Sequence, residues 1–465
     1  MEIAAKTEKR NIAVIILRAA AALAAAGAFA VYYLKHRGGY AWHQFIAPFV
    51  SLALFAALFI CAAPSFVRVL KGGGDIPAPY ESKKAETKRD LLRIGIAALI
   101  IHFAAIFIGV LIFRVVDGFA KNLDFATLFH HAWMKANTDA QHYLDIAEHW
   151  YVNEGNEALF IVFFPMFPML VRGLNVIFHN GFASALVLNA IATVGAACMT
   201  YLALLSALGR KRAKAGAFIY MLLPGAIFMN SPMTEPLFML FTACFFYFLN
   251  NKRFLLAGAF TALAGFTRSL GVLLAAPLAL VGMGELVRRI RAKENAGAFA
   301  ARLIAALVIS TFGTLAYLWI NYAVFGDPLK FFEFQWSNWH QKACPFFDTA
   351  RYTVKYGIDA LKDPEKLFSL WLPQVLAIFG ALMIMIPAAR RLPASHTVYF
   401  LPYFAVAVGC TWLLSSVRYL SAALPIAAAV ALPCEKKGGR SAVFAALIVC
   451  YLVYMYMYMM RWGVY

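Results

Sequence analysis

Charged side chains are scarce in this sequence. Asp, Glu, Lys and Arg make up 14% of the 465 residues, while 63% are hydrophobic. Soluble domains usually carry about a quarter charged residues, so this composition excludes an ordinary soluble fold. Acidic residues are the scarcest, at 23 against 42 basic ones. No soluble module carries the basic excess, so we expect no nucleic-acid partner.

Paired cysteines and nucleotide-binding loops are also missing. The seven cysteines are scattered, mostly within apolar runs. Without a close pair they predict neither a disulfide framework nor a metal knuckle. No Gly-rich loop follows a strand pattern, which argues against a nucleotide-binding site.

What the sequence does have is long apolar runs. A helical crossing of a bilayer needs about 20 apolar residues, and the continuous Ala- and Leu-rich runs favour helices over a barrel. The run from Ile12 to Leu34 is too long for the core of a cleaved signal peptide, so we expect a retained first span. The predicted fold class is an all-α, multi-pass integral membrane protein with about thirteen transmembrane helices, near residues 12–34, 44–69, 93–115, 182–208, 214–229, 233–250, 254–267, 271–286, 299–324, 367–388, 396–414, 417–433 and 441–461.

Basic clusters predict how these spans are oriented. With thirteen spans, the main Lys and Arg clusters all fall on one face, which the distribution of positive charge predicts to be cytoplasmic. The other face receives two long loops, near 116–181 and 325–366, and the first of these is rich in acidic residues. We expect residues 1–90 to form two additional N-terminal spans with a cytoplasmic loop, and residues 91–465 to form the main domain.

The first long loop contains candidates for acid–base chemistry. Asp139, His142 and Tyr143 are spaced so that they would share one helix face. A carboxylate beside an imidazole can take a proton from a hydroxyl group. Alternatively, Asp139 only favours a helix N-terminus and His142 faces water. A divalent metal bound by His142, Asp145 and His149 is a further alternative.

A proline-containing aromatic segment follows at Phe163–Pro168. Two prolines three residues apart discourage a straight helix. The segment reads as an amphipathic stretch in the outer membrane interface, with a kinked transmembrane helix as the alternative.

Three ionisable residues, Glu235, Arg268 and Arg418, lie in tight turns between apolar helices. Charge at such positions is costly unless it is wetted or paired, so each is a candidate functional residue. Two arginines reaching one outer cavity would suit a phosphate. The alternative is that these three residues extend to the membrane interface or pair with one another. In the second long loop, aromatics including Trp339 could lie at the headgroup level or stack on sugar rings.

Taken in chain order, these segments resemble the PIG-V-like mannosyltransferases of the GT-C glycosyltransferase fold. The matching residues are Thr138-Asp139, His142-Tyr143 and Ile146-Ala147; Phe163 to Pro168; Thr234-Glu235; Thr267-Arg268-Ser269-Leu270-Gly271; Gly326-Asp327-Pro328 with Gln335 and Trp339; and Ser415-Ser416-Val417-Arg418-Tyr419. Two positions depart from the family pattern: Thr138 replaces the usual Trp, and Trp150 stands where Gly is common.

The resemblance implies inverting transfer of a hexose, mannose in that family, from a polyprenyl-phosphate sugar to a lipid-linked or glycan acceptor on the extracytoplasmic face. Asp139 would be the general base, and His142 would position Asp139 or the acceptor. The substrate-binding residues would be Tyr143, Glu235, Arg268, Gln335, Trp339, Arg418 and Tyr419, with the two arginines on the donor phosphate. No cofactor is then required, although a divalent metal stays an alternative.

Two other functions fit some of these features. Many spans with buried arginines also suit a transporter or flippase of a polyprenyl-linked or other anionic lipid, which predicts charges near the bilayer midplane and inverted repeats. A different lipid-phosphate-dependent transferase is the second alternative. The Ala-rich spans and the loosely matched motifs favour a prokaryotic plasma membrane.

Overall fold

The computed structural model describes residues 12–76, 79–81, 83–118, 122–134 and 138–465. Within these residues the chain is helical, apart from one isolated bridge between Ala343 and Cys410. The α-helices are α1 Ile12–His36, α2 Ile46–Leu70, α3 Lys84–Val116, α4 Phe125–Trp133, α5 Asp139–His149, α6 Met166–Phe178, α7 Gly181–Leu222, α8 Glu235–Asn250, α9 Phe254–Thr267, α10 Ala275–Arg291, α11 Ala296–Phe325, α12 Lys330–Ser337, α13 Phe346–Asp359, α14 Leu372–Ala388, α15 Ala394–Val408, α16 Ser416–Ser421, α17 Leu424–Val430 and α18 Lys437–Met459.

The all-α, multi-pass membrane architecture is confirmed. In the described part of the chain, eight helices are long and apolar enough to cross a membrane, or up to ten if two bent pairs each count as one span. Two shorter apolar helices, α9 and α15, add to these. Each of the thirteen apolar segments of the sequence overlaps helical structure, although the segment near 396–414 leaves the helix after Val408.

Helix boundaries differ from the sequence prediction in two informative places. Helix α7 runs through two predicted spans, but its backbone breaks at Gly209, where φ is +74°. Helix α3 begins at Lys84, about two turns before the predicted span. This extension is explained by Asp90, which is fully buried and paired with Arg210 at 2.6 Å and Lys214 at 2.7 Å.

The basic clusters meet at one end of the helical bundle. The Asp90–Arg210 pair joins α3 to the break in α7. Arg212 donates to the carbonyl of Leu432, and Arg291 donates to the carbonyl of Lys71. The turns that the sequence predicts on one membrane face are therefore neighbours in space.

The first long loop carries α4, α5, the 3-10 helix Asn156–Val162 and α6. The 3-10 helix meets α6 at an angle of 114°, so the proline-containing segment is not a straight span. A second sharp bend, of 111°, separates the 3-10 helix Pro224–Asn230 from α8. Both bends are at the end of the bundle away from the basic clusters, and the second places Glu235 in the first turn of α8.

Two glycines allow close backbone contact near these bends. A Cβ at Gly225 would lie 2.6 Å from the carbonyl oxygen of Val417 and 2.8 Å from the Cα of Arg418. A Cβ at Gly271 would lie 2.1 Å from the carbonyl carbon of Ala264. Since no side chain fits at either position, glycine lets Pro224–Asn230 pack on α16, and lets the turn after Arg268 fold back on α9.

Candidate active site

Four ionisable side chains that are far apart in the sequence meet in one connected cluster. Arg418 donates from Nη1 to Oδ2 of Asp139 at 2.5 Å, and from Nε to Oε1 of Glu235. Arg268 donates from Nη1 to the same oxygen of Glu235. The order Asp139–Arg418–Glu235–Arg268 forms a continuous chain of ion pairs, which we call the ionic chain.

The ionic chain is graded in its exposure. The side chains of Glu235 and Arg418 are 2% and 5% exposed, that of Arg268 is 11% exposed, and that of Asp139 is 33% exposed. Buried charges persist only when they are paired and hydrogen-bonded, and here the two carboxylates balance the two guanidinium groups. Asp139 is thus the end of the chain that a molecule from outside can reach.

Helix geometry and aromatic rings hold the buried members in place. Glu235 lies in the first turn of α8, where the helix dipole favours a carboxylate. The guanidinium of Arg268 lies 5.0 Å from the ring centre of Tyr419, and that of Arg418 lies 5.2 Å from that of Phe228. These cation–π contacts fix the planes of the two guanidinium groups.

Several polar atoms of the ionic chain have no protein partner among the described residues. Arg268 uses only Nη1, which also donates to Thr234 at 3.2 Å, and Arg418 uses only Nε and Nη1. Oε2 of Glu235 is buried and accepts no hydrogen bond from any described residue. Because a guanidinium carries five N–H donors, both arginines retain donors for an oxygen-rich ligand.

Helix α5 brings Tyr143 and His142 beside Asp139 in different ways. Tyr143 is buried next to the ionic chain, and burial raises the pKa of its hydroxyl well above the ordinary value. The His142 ring packs 4.4 Å from Phe160 and 5.1 Å from Phe163, and its Nδ1 is buried without a partner among the described residues. Burial lowers the pKa of His142 below its ordinary value despite the nearby Asp139, which favours the neutral imidazole.

The second long loop contributes one predicted residue near the site and one farther away. The Trp339 ring lies 5.8 Å from Phe163, whose ring lies 5.3 Å from Tyr143. Gln335 instead donates to Gln341 at 2.5 Å, and Gln341 donates to the carbonyl of Trp412. Trp339 therefore lies at the edge of the Tyr143 aromatic cluster, whereas Gln335 joins two loops.

The described structure does not bring His142, Asp145 and His149 together as ligands of a metal ion. Nδ1 of His149 lies 3.3 Å from Oδ1 of Asp145, but the His142 ring lies against phenylalanines. In the described ranges, no group of three or more His, Cys, Asp or Glu side chains could hold a metal ion.

Gln374 is a candidate positioning residue that the sequence did not single out. Its Oε1 accepts hydrogen bonds from the backbone N–H and the hydroxyl of Ser416, at 3.2 and 2.9 Å, and its Nε2 donates to the carbonyl of Leu413 at 3.1 Å. These bonds fix the loop that leads into α16 and Arg418. The sequence feature that could have identified Gln374 is that it is a lone amide inside an apolar run. Such a side chain needs a hydrogen-bond partner within the bundle.

Comparison with known proteins gives structural similarities alone. No protein-family model matches this chain, and no curated protein matches it. Among solved structures, ArnT from Cupriavidus metallidurans, bound to undecaprenyl phosphate, is similar at a TM-score of 0.48 and 14% identity, over 76% of this chain and 62% of that one.

An Archaeoglobus fulgidus oligosaccharyltransferase tethered to an acceptor peptide is similar at a TM-score of 0.39 and 13% identity, over 78% of this chain and 55% of that one. The archaeal oligosaccharyltransferase AglB from the same organism, in complex with an inhibitory peptide and a dolichol-phosphate, is similar at a TM-score of 0.37 and 12% identity, over 77% of this chain and 55% of that one. The chain thus spans less than two thirds of each of these proteins.

Proposed function

We propose that this chain is a membrane glycosyltransferase with a GT-C-like helix arrangement. It transfers a hexose, mannose by the family resemblance, from a polyprenyl-phosphate sugar to a hydroxyl of a lipid-linked or glycan acceptor. The observation that carries the proposal is the ionic chain, in which a reachable carboxylate is joined to two buried arginines with donors to spare.

The two ends of the ionic chain suit the two halves of such a reaction. Asp139 accepts the proton of the acceptor hydroxyl as that oxygen forms a bond to the anomeric carbon. The bond from this carbon to the phosphate oxygen breaks, and its electron pair leaves with the polyprenyl phosphate. Arg268 and Arg418 stabilise the charge that develops on this leaving group. Attack opposite to the leaving group inverts the anomeric configuration.

Charge balance assigns Glu235 a supporting role. Without it, two buried guanidinium groups would lie close together with only Asp139 as counter-ion. Glu235 binds both arginines through one oxygen, so it holds them in a fixed pair while their remaining donors face a ligand. The phosphate of the donor then competes with Asp139 for Arg418, which frees the carboxylate for the acceptor.

Other predicted residues complete the site in this proposal. Tyr143 and Tyr419 shape the pocket around the arginines, and Trp339 and His142 border the acceptor side. Gln335 acts at a distance by holding the second long loop. The two arginines neutralise the phosphate, so the proposal needs no cofactor, and the active site faces the extracytoplasmic side of a prokaryotic plasma membrane.

Transfer by purified protein tests the proposal. The chain in detergent is supplied with radiolabelled polyprenyl-phosphate mannose, the matching glucose donor or a nucleotide-linked mannose, with a panel of glycolipid acceptors. We expect labelled product from a lipid-phosphate donor and none from the nucleotide donor, with an inverted anomeric configuration. If no donor gives product while the protein moves labelled polyprenyl phosphate across a vesicle bilayer, the chain is a transporter and the proposal is wrong.

A further inference from the structure

A polar cavity lies at the other end of the helices that carry the ionic chain. Its volume is about 320 Å³. Its charged lining residues come from the α8–α9 turn, from α10 and from α11: Lys252, Arg253, Glu285, Arg289 and Arg302. We call it the basic cavity.

The basic cavity is separate from the proposed active site. Helix α8 begins at Glu235 and ends just before Lys252, and α9 begins just after Arg253 and ends next to Arg268. Sixteen residues of helix span about 24 Å. The two sites therefore lie at opposite ends of the bundle. The basic cavity lies at the end that carries the basic clusters.

The carboxylate in the lining of the basic cavity, that of Glu285, is already paired with basic side chains. Oε2 of Glu285 lies 2.9 Å from Lys252 Nζ, and its Oε1 lies 3.0 Å from Arg289 Nε. Arg288 outside the lining pairs with the same carboxylate at 2.7 Å. The side chain of Glu285 is 6% exposed, so this cluster forms a fixed, positively charged floor.

Two exposed arginines of the cavity lining, Arg253 and Arg302, have no carboxylate partner among the described residues. Among the described residues, Arg253 and Arg302 make no ion pair and no side-chain hydrogen bond; Arg253 lies in the α8–α9 turn and Arg302 lies on α11. With four cations and one carboxylate, the lining carries a formal excess of three positive charges. Such an excess favours an anion with several oxygen acceptors, and guanidinium groups match phosphate well.

The walls of the basic cavity are apolar. Phe254 and Phe299 contact edge to face at 5.2 Å, and the Arg289 guanidinium lies 4.7 Å from the Phe299 ring. Leu255 and Leu256 also line the cavity, yet they are 44% and 41% exposed. A polar floor beside exposed leucines at the end of a membrane bundle suits an amphiphile more than a free ion.

We propose that the basic cavity binds the phosphate headgroup of an anionic phospholipid from the leaflet at this end of the bundle. Arg253 and Arg302 bind the phosphate oxygens, and Leu255 and Leu256 contact the first part of the acyl chains. Basic pockets between transmembrane helices are suited to such headgroups. The proposal is independent of sugar transfer, because none of these residues touches the ionic chain.

Native mass spectrometry of the full chain in detergent tests this site. The protein is titrated with phosphatidylglycerol, with phosphatidylcholine and with inorganic phosphate. The variant Arg253→Gln/Arg302→Gln is compared with Arg390→Gln/Arg391→Gln, which removes two exposed charges outside the cavity lining. We expect phosphatidylglycerol to bind the parent more tightly than phosphatidylcholine, and the cavity variant to weaken this binding about tenfold or more. The control variant should stay within about twofold of the parent.

Three results would overturn the proposal. Equal weakening by the cavity and control variants would show a general effect of surface charge. Equal binding of phosphatidylglycerol and phosphatidylcholine by the parent would show that the headgroup charge is not recognised. Binding of inorganic phosphate as tight as that of the phospholipid would identify a soluble anion as the occupant. All four residues are exposed, so the variants should fold, which unchanged thermal unfolding verifies.

Discussion

At the residue scale, the site depends on how charge is shared between a few buried groups. Arg418 is the central residue, because it contacts both carboxylates and is almost fully buried. A lysine there has one point charge and no planar fork, so it cannot hold both carboxylates in the same geometry. The same reasoning separates Asp139, which can exchange partners, from Glu235, which binds two arginines at once.

His142 predicts a pH effect on stability. Burial holds its folded-state pKa below the ordinary 6.5. As the pH falls through the ordinary range, the unfolded chain therefore takes up a proton before the folded chain does, and stability is lost. We expect His142→Phe to lose less thermal stability than the parent between about pH 7.5 and about pH 5. His149→Phe at the exposed end of α5 is the control, and equal acid loss in His142→Phe and the parent would contradict this account.

Trp150 predicts a backbone effect. Its φ is +68° and its ψ is −167°, a region that only glycine adopts without strain. Trp150→Ala and Trp150→Gly both remove the ring, but only alanine keeps the strain. The free energy of unfolding of the glycine variant should therefore exceed that of the alanine variant by about 1–2 kcal/mol. The glycine variant should accordingly unfold at a higher temperature. Equal unfolding temperatures would show that this backbone position carries no strain.

At the element scale, breaks in helices position the functional groups. Glu235 follows a 111° bend, Arg268 ends α9, and Arg418 lies in the short α16. Each break releases backbone groups that side chains or neighbouring turns must satisfy. Gln374 of α14 does this for the loop before α16, and Gly225 lets the adjacent 3-10 helix approach the Arg418 backbone.

Gln374 predicts a positioning effect on transfer. Gln374→Leu removes three hydrogen bonds to the 413–416 loop without touching the ionic chain, so Arg418 should lose its fixed position. We expect transfer to slow about tenfold or more, mainly through kcat, while Gln374→Glu keeps the acceptor bonds to Ser416 and recovers part of the rate. Ser369→Ala removes a hydrogen bond in the same span and should leave the rate unchanged. A Gln374→Leu variant with parental kcat would rule out the positioning role.

The structure brings together the charged residues that the sequence singles out, although their functional roles stay predictions, and it moves the start of one predicted helix. Glu235, Arg268 and Arg418 were predicted because isolated charges between apolar helices are conspicuous, whereas Asp139 was predicted from its spacing with His142 and Tyr143. The structure brings the four charged groups together. Pairing among Glu235, Arg268 and Arg418 was one of the alternatives left open. The contact between Asp139 and Arg418 was not predicted, since one-dimensional spacing says nothing about contacts across the bundle. The early start of α3 was missed because it depends on Asp90 meeting Arg210, a tertiary contact. Gln374 was missed for the same reason.

At the scale of the whole molecule, the bundle has two chemically different ends. The ionic chain and the helices of the first long loop lie at one end, and the basic clusters with the basic cavity lie at the other. This separation of the two charged regions follows from the hydrophobic pattern of the sequence. Each polar segment between two apolar runs lies at one end of the bundle or at the other. The N-terminal helix α1 packs mainly on α2 and is largely exposed, and its separation from the main domain stays a prediction.

The two ends predict opposite accessibility across the membrane. In a Cys344→Ser background, Glu154→Cys in the first long loop should react with a membrane-impermeant maleimide added outside intact cells. Lys437→Cys at the start of α18 should react only after the cells are opened. Labelling of Lys437→Cys in intact cells would show that the protein has the opposite orientation in the membrane, and the prediction would be wrong.

The most direct test of the account is the single-turnover rate of sugar transfer from polyprenyl-phosphate mannose by Asp139→Asn, measured beside Asp145→Asn on the same helix. General-base catalysis contributes about 10²- to 10⁴-fold. The account predicts that Asp139→Asn loses at least about 10²-fold while the donor still binds, and that Asp145→Asn keeps the parental rate. If Asp139→Asn transfers sugar as fast as the parent, Asp139 is not the general base, and its contact with Arg418 is only structural.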